Sequence, residues 1–331
     1  MKTETSFVGA WTWPKSARPL ALAGIACGLT LVACSNDFAP YSQLDRLRIL
    51  AVRSEPATPM PGETAVLSAL TFAPASESLT YHWTWCPVVA SASQNYACPL
   101  DQDTANRIFA PITDPSGGTS LLSLDLGTGT SANFSNPFSV EALATLCASG
   151  LEAQGFAQAL DCEGGYPIVV VVDVSTASSS LRAGFVLRLP SQTPPPINHN
   201  PNPTGLSLAG IQLDSAPTAV AVSPGQTTDL LAQIPADASE MRPIPAAEGP
   251  PGERLERLTA SWFADSGRID TDRTVFIDGT SPLDQTSRNR WTAPDAQHWP
   301  ASTVVEFVLV LRDDRGGANW LVRQVQLQRS P

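Results

Sequence analysis

Two stretches of this chain repeat one pattern of apolar and polar positions. In the first, Leu47, Ile49 and Ala51 stand two positions apart, and Pro61, Gly62, Glu63 and Thr64 follow, with Leu67 and Ala69 beyond. In the second, Leu208 precedes Pro224, Gly225, Gln226 and Thr227, with Leu230 and Ala232 beyond. A Pro-Gly pair sets a turn, and the apolar residues five and seven positions after each glycine then fall on one strand face. Each half next reaches a strand rich in tryptophan, LTYHWTWC over residues 79–86 and LTASWF over residues 258–263. Alternation puts Tyr81, Trp83 and Trp85 on one face of the first, and Leu258, Ala260 and Trp262 on one face of the second. Both are expected core faces. A hairpin closes each half: IVVVVD at 168–173 returns through 178–182 to Leu189, and residues 304–311 return through Asp313, Asp314, Arg315, Gly316 and Gly317 into 320–327.

Short strands, turn punctuation and a tryptophan strand before a closing hairpin predict an all-β chain of two immunoglobulin-like β-sandwiches in tandem, the first with a loop and helical insertion. Residues 190–204 (PSQTPPPINHNPNPT) are dense in proline and asparagine and lack hydrophobic periodicity, so a semi-rigid linker is expected over 191–204. The sandwiches then occupy 44–190 and 205–331. The insertion, at about 87–166, has a Gly/Ser/Thr-rich middle (Gly117, Gly118, Gly127, Gly129) that reads as loop. Ser139 can cap a helix through Leu146 with Val140, Leu143 and Cys147 on one face, and a second helical stretch, 151–160, leads to Cys162. These helices are expected to cover one end of the sandwich or to offer a docking surface to another protein.

The Pro-Gly turn, the tryptophan strand and the Asp-Asp-Arg-Gly-Gly hairpin resemble Ig-like or PKD-like modules of bacterial surface proteins. The whole chain resembles uncharacterised two-domain lipoproteins of the myxobacterial type, which implies a fold and an address. It departs from the Ig pattern in lacking the core disulfide, because Cys86 follows the core tryptophans and no cysteine lies on the strand at Ile168.

The address comes from the first forty residues. Lys2, Lys15 and Arg18 lead an uncharged run of fourteen residues, 20–33. A spanning helix needs roughly 20 apolar residues, so this run fits an export signal instead. It ends in Leu31, Val32, Ala33 and Cys34, which resembles the lipobox of bacterial lipoproteins. The resemblance implies that 1–33 is a signal peptide, that Cys34 becomes the acylated N-terminus, palmitate included, and that 34–43 is a tether. Several acyl chains would hold the protein on a membrane where one would not. The competing readings are ordinary secretory cleavage with Cys34 as an incidental cysteine, or an uncleaved anchor. Ser35 favours the outer membrane over the inner as the cell-envelope address.

Charge narrows the partners. Residues 1–33 hold three of the 20 basic and one of the 31 acidic residues, leaving 17 and 30 and a net charge of −13. Such a surface repels nucleic acid, so none is expected as a partner. Cys86, Cys98, Cys147 and Cys162 remain after Cys34, and an even count in an exported chain suggests disulfides. Of the three possible pairings, the short loops favour Cys86 with Cys98 and Cys147 with Cys162. Zinc is the competing reading, against which stand the missing Cys-x-x-Cys spacing and the scattered His82, His199 and His298.

Catalytic motifs are not found: no Gly-x-Ser-x-Gly, no His-Glu-x-x-His, no Gly-x-Gly-x-x-Gly and no P-loop. No enzyme activity, cofactor or metal is expected. Asp265, Asp270, Asp272 and Asp278, with Asp313 and Asp314, are the carboxylates calcium would use, though their spacing is not that of an EF-hand and Arg268 and Arg273 supply opposing charge. The expected role is a lipid-anchored, non-catalytic envelope protein acting by contact or as a scaffold. Its expected partners are the membrane, through the lipid, and an envelope protein or glycan. The alternative, a carbohydrate- or peptidoglycan-binding lipoprotein, requires a solvent-facing row from Trp291, Trp299 and Trp320.

Overall fold

The computed structural model describes residues 40–74, 77–113, 121–150, 160–244, 248–299 and 304–329. The first sandwich is built from β1 (Arg48–Glu55), β2 (Thr64–Phe72), β3 (Thr80–Cys86), β4 (Asp125–Gly127), β5 (Ser131–Ser135), β6 (Tyr166–Ser175) and β7 (Ser180–Leu189). One sheet runs β1-β2-β5 and the other β4-β3-β6-β7. This is an Ig-like arrangement, and alternation sets its faces. Trp83 and Trp85 are buried against Ile168, Val170, Val172 and Val174, while His82, on the opposite face beside Trp83, is exposed. Tyr81 sits half-buried at the rim, its hydroxyl 2.8 Å from that of Thr71.

Residues 87–166 do more than decorate a finished sandwich, which corrects the expected insertion boundaries. The segment expected as loop contributes β4 and β5, one edge strand to each sheet. Ala132 and Phe134 of β5 enter the core, and Trp85 packs edge-on against Phe134 at 5.1 Å and Phe138 at 6.3 Å. The Trp83 indole N–H donates to Gly129 O at 2.9 Å and that of Trp85 to Ser123 O at 2.7 Å. The strand escapes alternation analysis because a five-residue element with two apolar side chains is too short to register. Gly117 and Gly118 lie outside the described residues.

What is inserted is helical. The helix α1 (Gln102–Thr113) begins where the Asp101 carboxylate accepts the Thr104 N–H at 2.7 Å, and it packs Ala105 and Phe109 inward. The helix α2 (Val140–Ser149) starts as expected, with Ser139 Oγ accepting the Ala142 N–H at 3.1 Å and Leu143 and Leu146 buried. Of the second expected helical stretch, residues 151–159 lie outside the described residues. Cys86 pairs with Cys98 and Cys147 with Cys162, at Cα separations of 5.5 and 5.9 Å, so the two short loops are the ones closed.

The second sandwich uses β8 (Gly205–Leu208), β9 (Ile211–Leu213), β10 (Thr218–Val222), β11 (Thr227–Gln233), a ribbon of β12 (Met241–Pro243) and β13 (Glu253–Leu255), then β14 (Leu258–Ala264), β15 (Arg268–Ile269) and β16 (Arg273–Phe276). A single turn of helix, α3 (Leu283–Thr286), leads to β17 (Arg288–Thr292), β18 (Val304–Arg312) and β19 (Ala318–Arg329). Its sheets run β10-β19-β18-β14-β16 and β15-β17-β11-β8-β9, with β10 parallel to β19. Trp262 and Trp291 fill the space between them, Trp291 lying edge-on to Phe307 at 5.3 Å.

The repeat read from sequence recurs bond for bond. Gly62 and Gly225 both have positive φ, +75° and +73°, in Pro-Gly turns of the type that demands glycine at that position. Glu63 Oε2 accepts the Met60 N–H at 2.8 Å, and Gln226 Oε1 accepts the Ser223 N–H at 2.7 Å. Beyond each turn a hydroxyl pair crosses to the neighbouring strand, Thr64 to Ser135 at 2.6 Å and Thr227 to Thr292 at 2.9 Å. The strand pair β2 and β5 is thus the counterpart of β11 and β17.

Candidate functional site

A third apolar cluster lies between the two sandwiches. It joins Leu44, Leu50 and Ala51 to Phe263, Val308 and Val310, all buried, with Leu70, Phe72, Trp320 and Val322 packed around them. The sheet containing β14 and β18 is therefore covered on both faces. Trp262 and Leu309 point into their own sandwich, while Phe263, Val308 and Val310 meet the other. The signal is present in the sequence, since residues 307–311 (FVLVL) are apolar without alternation, as strands buried on both faces are. Each such side chain contributes ~1.5–3 kcal/mol on burial, so the contact is a core and not a loose domain touch.

Polar groups reinforce this junction. Half-buried Arg312 donates through one terminal nitrogen to Leu50 O and through the other to Ser261 Oγ at 3.4 Å. Loss of hydration pulls its guanidinium below the ordinary arginine value. The Arg53 guanidinium lies 4.5 Å from the Trp320 ring and bonds Asn319 Oδ1 at 2.5 Å. The expected linker is docked along this seam. Asn198 N–H donates to Thr58 Oγ1 at 3.1 Å, Asn200 Nδ2 to Ser54 O at 2.8 Å, and the Ala318 N–H to Asn200 Oδ1 at 2.9 Å. Its asparagines act as connectors to both sandwiches.

The last part of the expected tether is also docked. Leu44 N–H donates to Ala264 O at 2.9 Å, Ala264 N–H to Ser42 O at 3.0 Å, and Gln43 Nε2 to Asp265 O at 3.0 Å. Arg48 donates to Tyr41 O at 2.6 Å and Gln43 O at 2.8 Å. Residues 41–44 thus extend the second sandwich, although the first sandwich follows them in the chain.

The Asp-Asp-Arg-Gly-Gly hairpin turns out to be a charged clamp. Asp313 Oδ1 accepts the N–H groups of Arg315 at 2.8 Å and Gly317 at 2.7 Å, while Oδ2 accepts from Asn198 Nδ2 at 3.1 Å. A Cβ on Gly317 would lie 2.1 Å from Asp313 Oδ2, so any larger residue would push the Asp313 carboxylate out of its bonds. Asp314 takes Arg242 at 2.7 Å. Arg315 donates to Glu256, to Glu240 Oε2 at 2.6 Å and to Ile197 O at 2.8 Å. Burial is the largest influence on Glu256 and, with Asp313 nearby, pushes its carboxyl up to about 7 against the opposing pull of Arg315.

The other side chains singled out in the sequence are not brought together. Cys34 lies outside the described residues. His82 faces Asp125 at 3.3 Å, His199 faces Glu240 at 2.6 Å and His298 faces Asp295 at 2.8 Å, three separate surface pairs. Asp265 accepts the Glu306 N–H at 3.0 Å, and Asp313 and Asp314 belong to the hairpin clamp. Among the described residues no group of three metal-ligating side chains gathers. The three candidate stacking tryptophans form no outward row: Trp291 is fully buried, Trp299 packs on the second core, and Trp320 carries Arg53 on its face. Among the described residues no helix is long and apolar enough to cross a membrane.

No protein-family model and no curated protein matches the chain. Among solved structures, a nucleoside hydrolase-related hypothetical protein from Saccharophagus degradans aligns with 42% of this chain and 28% of its own length, at 16% identity and a TM-score of 0.23. The three N-terminal domains of the bacteriophage RB49 outer capsid protein Hoc align with 86% of this chain and 71% of theirs, at 10% identity and a TM-score of 0.20. Murine CEACAM1b aligns with 85% of this chain and 99% of its own, at 7% identity and a TM-score of 0.21. Likeness this low carries no argument about function, and the fold stands on the chain's own strand order.

Proposed function

We propose that this protein is a lipid-anchored component of a bacterial cell envelope, held by acyl chains on Cys34, that works by contact as a stiff two-sandwich scaffold. The observation that carries the reading is the buried cluster between the sandwiches, closed by Leu50, Phe263, Val308 and Val310. Tandem modules joined by a free linker can swing, whereas these share a core and a docked connector. A contact protein gains from that stiffness, because a partner then meets a surface already arranged and less ordering entropy opposes binding. The non-catalytic part of the proposal draws on the titratable groups, which serve turns and ion pairs: Asp313 caps the hairpin and Arg315 holds Glu240 and Glu256.

The anchoring is tested by feeding cells a clickable fatty acid and comparing the wild type with Cys34→Ala. Label should appear on the wild-type protein and vanish from the variant. Equal label on both would reject Cys34 as the acceptor. Outer-membrane address is tested in the same extracts by separating the two membranes on a density gradient.

A further inference from the structure

Where the chain leaves the second sandwich decides how an anchored molecule would stand. Residues 41–44 are bonded to Ala264 and Asp265, beside Arg268 and the loop of Asp295 and His298. From there β1 runs along the second sandwich toward the hairpin: Leu44 meets Ala264, Leu50 O meets Arg312, Arg53 meets Asn319, and Ser54 O meets Asn200. The inserted helices lie at that far end. Asn136, which leads into α2, donates to Pro59 O and accepts from the Gly62 N–H, and Thr58 in the same turn holds Asn198 of the linker. Both sandwiches therefore share a tether end and an insertion end.

Cys34 precedes Pro40 by six positions, which is at most ~22 Å of fully extended chain. An eight-residue strand such as β1 alone spans ~26 Å. Acylation at Cys34 would therefore keep the tether end near the lipid and leave the insertion end beyond its reach. Exposed Arg46, Arg268 and Arg273 stand there among carboxylates, Asp45 lying 3.9 Å from Arg46 and Asp295 lining the same cleft as Arg268, so the tether length and not an excess of charge sets this end against the lipid.

We propose that the tether end, around residues 41–44, rests on the headgroups of a lipid bilayer, and that the insertion end, with α1, α2 and both disulfides, faces away from it. The proposal rests on the reading of Cys34 as the acylated residue. It is tested on the full-length protein purified with its anchor and placed in phosphatidylcholine–phosphatidylglycerol vesicles carrying a headgroup nitroxide. A fluorophore is attached at Arg268→Cys or at Asp103→Cys, and the mass of the Cys34 peptide is measured in the same preparations. With a tether of at most ~22 Å, quenching at position 268 should exceed that at 103 by about twofold or more. A flexible insert of about 20 residues between Asn36 and Asp37 should bring the ratio toward one. Equal or reversed quenching on an acylated protein would overturn the orientation alone. A ratio unchanged by the insert would overturn the tether as its cause. An unmodified Cys34 peptide would overturn the anchoring reading and the orientation with it.

Discussion

Arg315 joins three acceptors: Glu240, Glu256 and the carbonyl of Ile197. Truncating it leaves Glu256, which is fully buried, without its counter-charge. Breaking one side of such a pair costs up to ~3–5 kcal/mol, so Arg315→Ala should lower stability in urea unfolding most at pH 8, where the Glu256 carboxyl is ionised, and less at pH 5, where it holds a proton. Adding Glu256→Gln should recover part of the loss, because the stranded charge is then gone; full additivity would show that the pair is not coupled. Glu256 also sets a pH dependence. Its carboxyl is raised from 4.5 to about 7 in the folded protein, so between those values the native state keeps a proton that the unfolded chain has released. Stability from this group is complete below about pH 4.5 and falls as the pH rises toward 7. Relative to Glu256→Gln, wild type should therefore have its higher urea midpoint at pH 5 than at pH 8, and parallel midpoints would contradict the assignment. At this scale the sequence marks the turn residues of the hairpin plainly. It hides their partners, because Glu240, Glu256 and Ile197 lie 59 to 118 positions away.

Elements were legible in proportion to the length and regularity of their pattern. The tryptophan strands, the closing hairpins, both Pro-Gly turns and the Ser139 cap all follow from alternation or turn chemistry acting within a few residues. Trp85 and Trp262 take their expected core positions, and Trp262→Ala should cost ~3–5 kcal/mol, read as a fall in the urea midpoint at unchanged slope. The helix α1 went unanticipated, although Asp101 stands before Ala105, Ile108, Phe109 and Ile112 at helical spacing. The strand β5 was not legible, for Ala132 and Phe134 show their strand role only when β2 supplies the partner edge. The same distinction bears on the cysteines. Each pair closes a local loop of 12 or 15 positions, within the segment that also holds β4 and β5. Loss of a crosslink of that size is worth roughly 3 kcal/mol. Reduction should speed amide hydrogen exchange first in α1, α2 and β5, and uniform acceleration across β11 and β17 instead would show that the bonds stabilise the whole molecule equally.

At the scale of the whole chain, composition and pattern indicated two sandwiches but not that they share a core. Alternation assigns one apolar face per strand, and the second face of β14 and β18 becomes meaningful only when another sheet lies against it. That arrangement predicts how the molecule comes apart. Placing a carboxylate at Val310, which is fully buried in the junction, would require either an unpaired buried charge or separation of the sandwiches. Separation is the easier course. Each sandwich retains its own core around Trp83 and Trp85 or around Trp262 and Trp291, and neither core includes Val310. Val310→Asp should therefore split one cooperative thermal transition into two and raise the radius of gyration measured by small-angle X-ray scattering, while Val172→Asp, inside the first core, should unfold that sandwich. The linker would still connect the separated halves, but Asn198 bonds both Thr58 and Asp313 and Asn200 both Ser54 and Ala318, so separation should break one set or the other. A single transition and an unchanged radius for soluble Val310→Asp would show that the docked linker and the bonds of residues 41–44 to Ala264 suffice to hold the pair. The apolar cluster would then be filler, and the stiffness on which a contact role depends would reside in the hydrogen bonds.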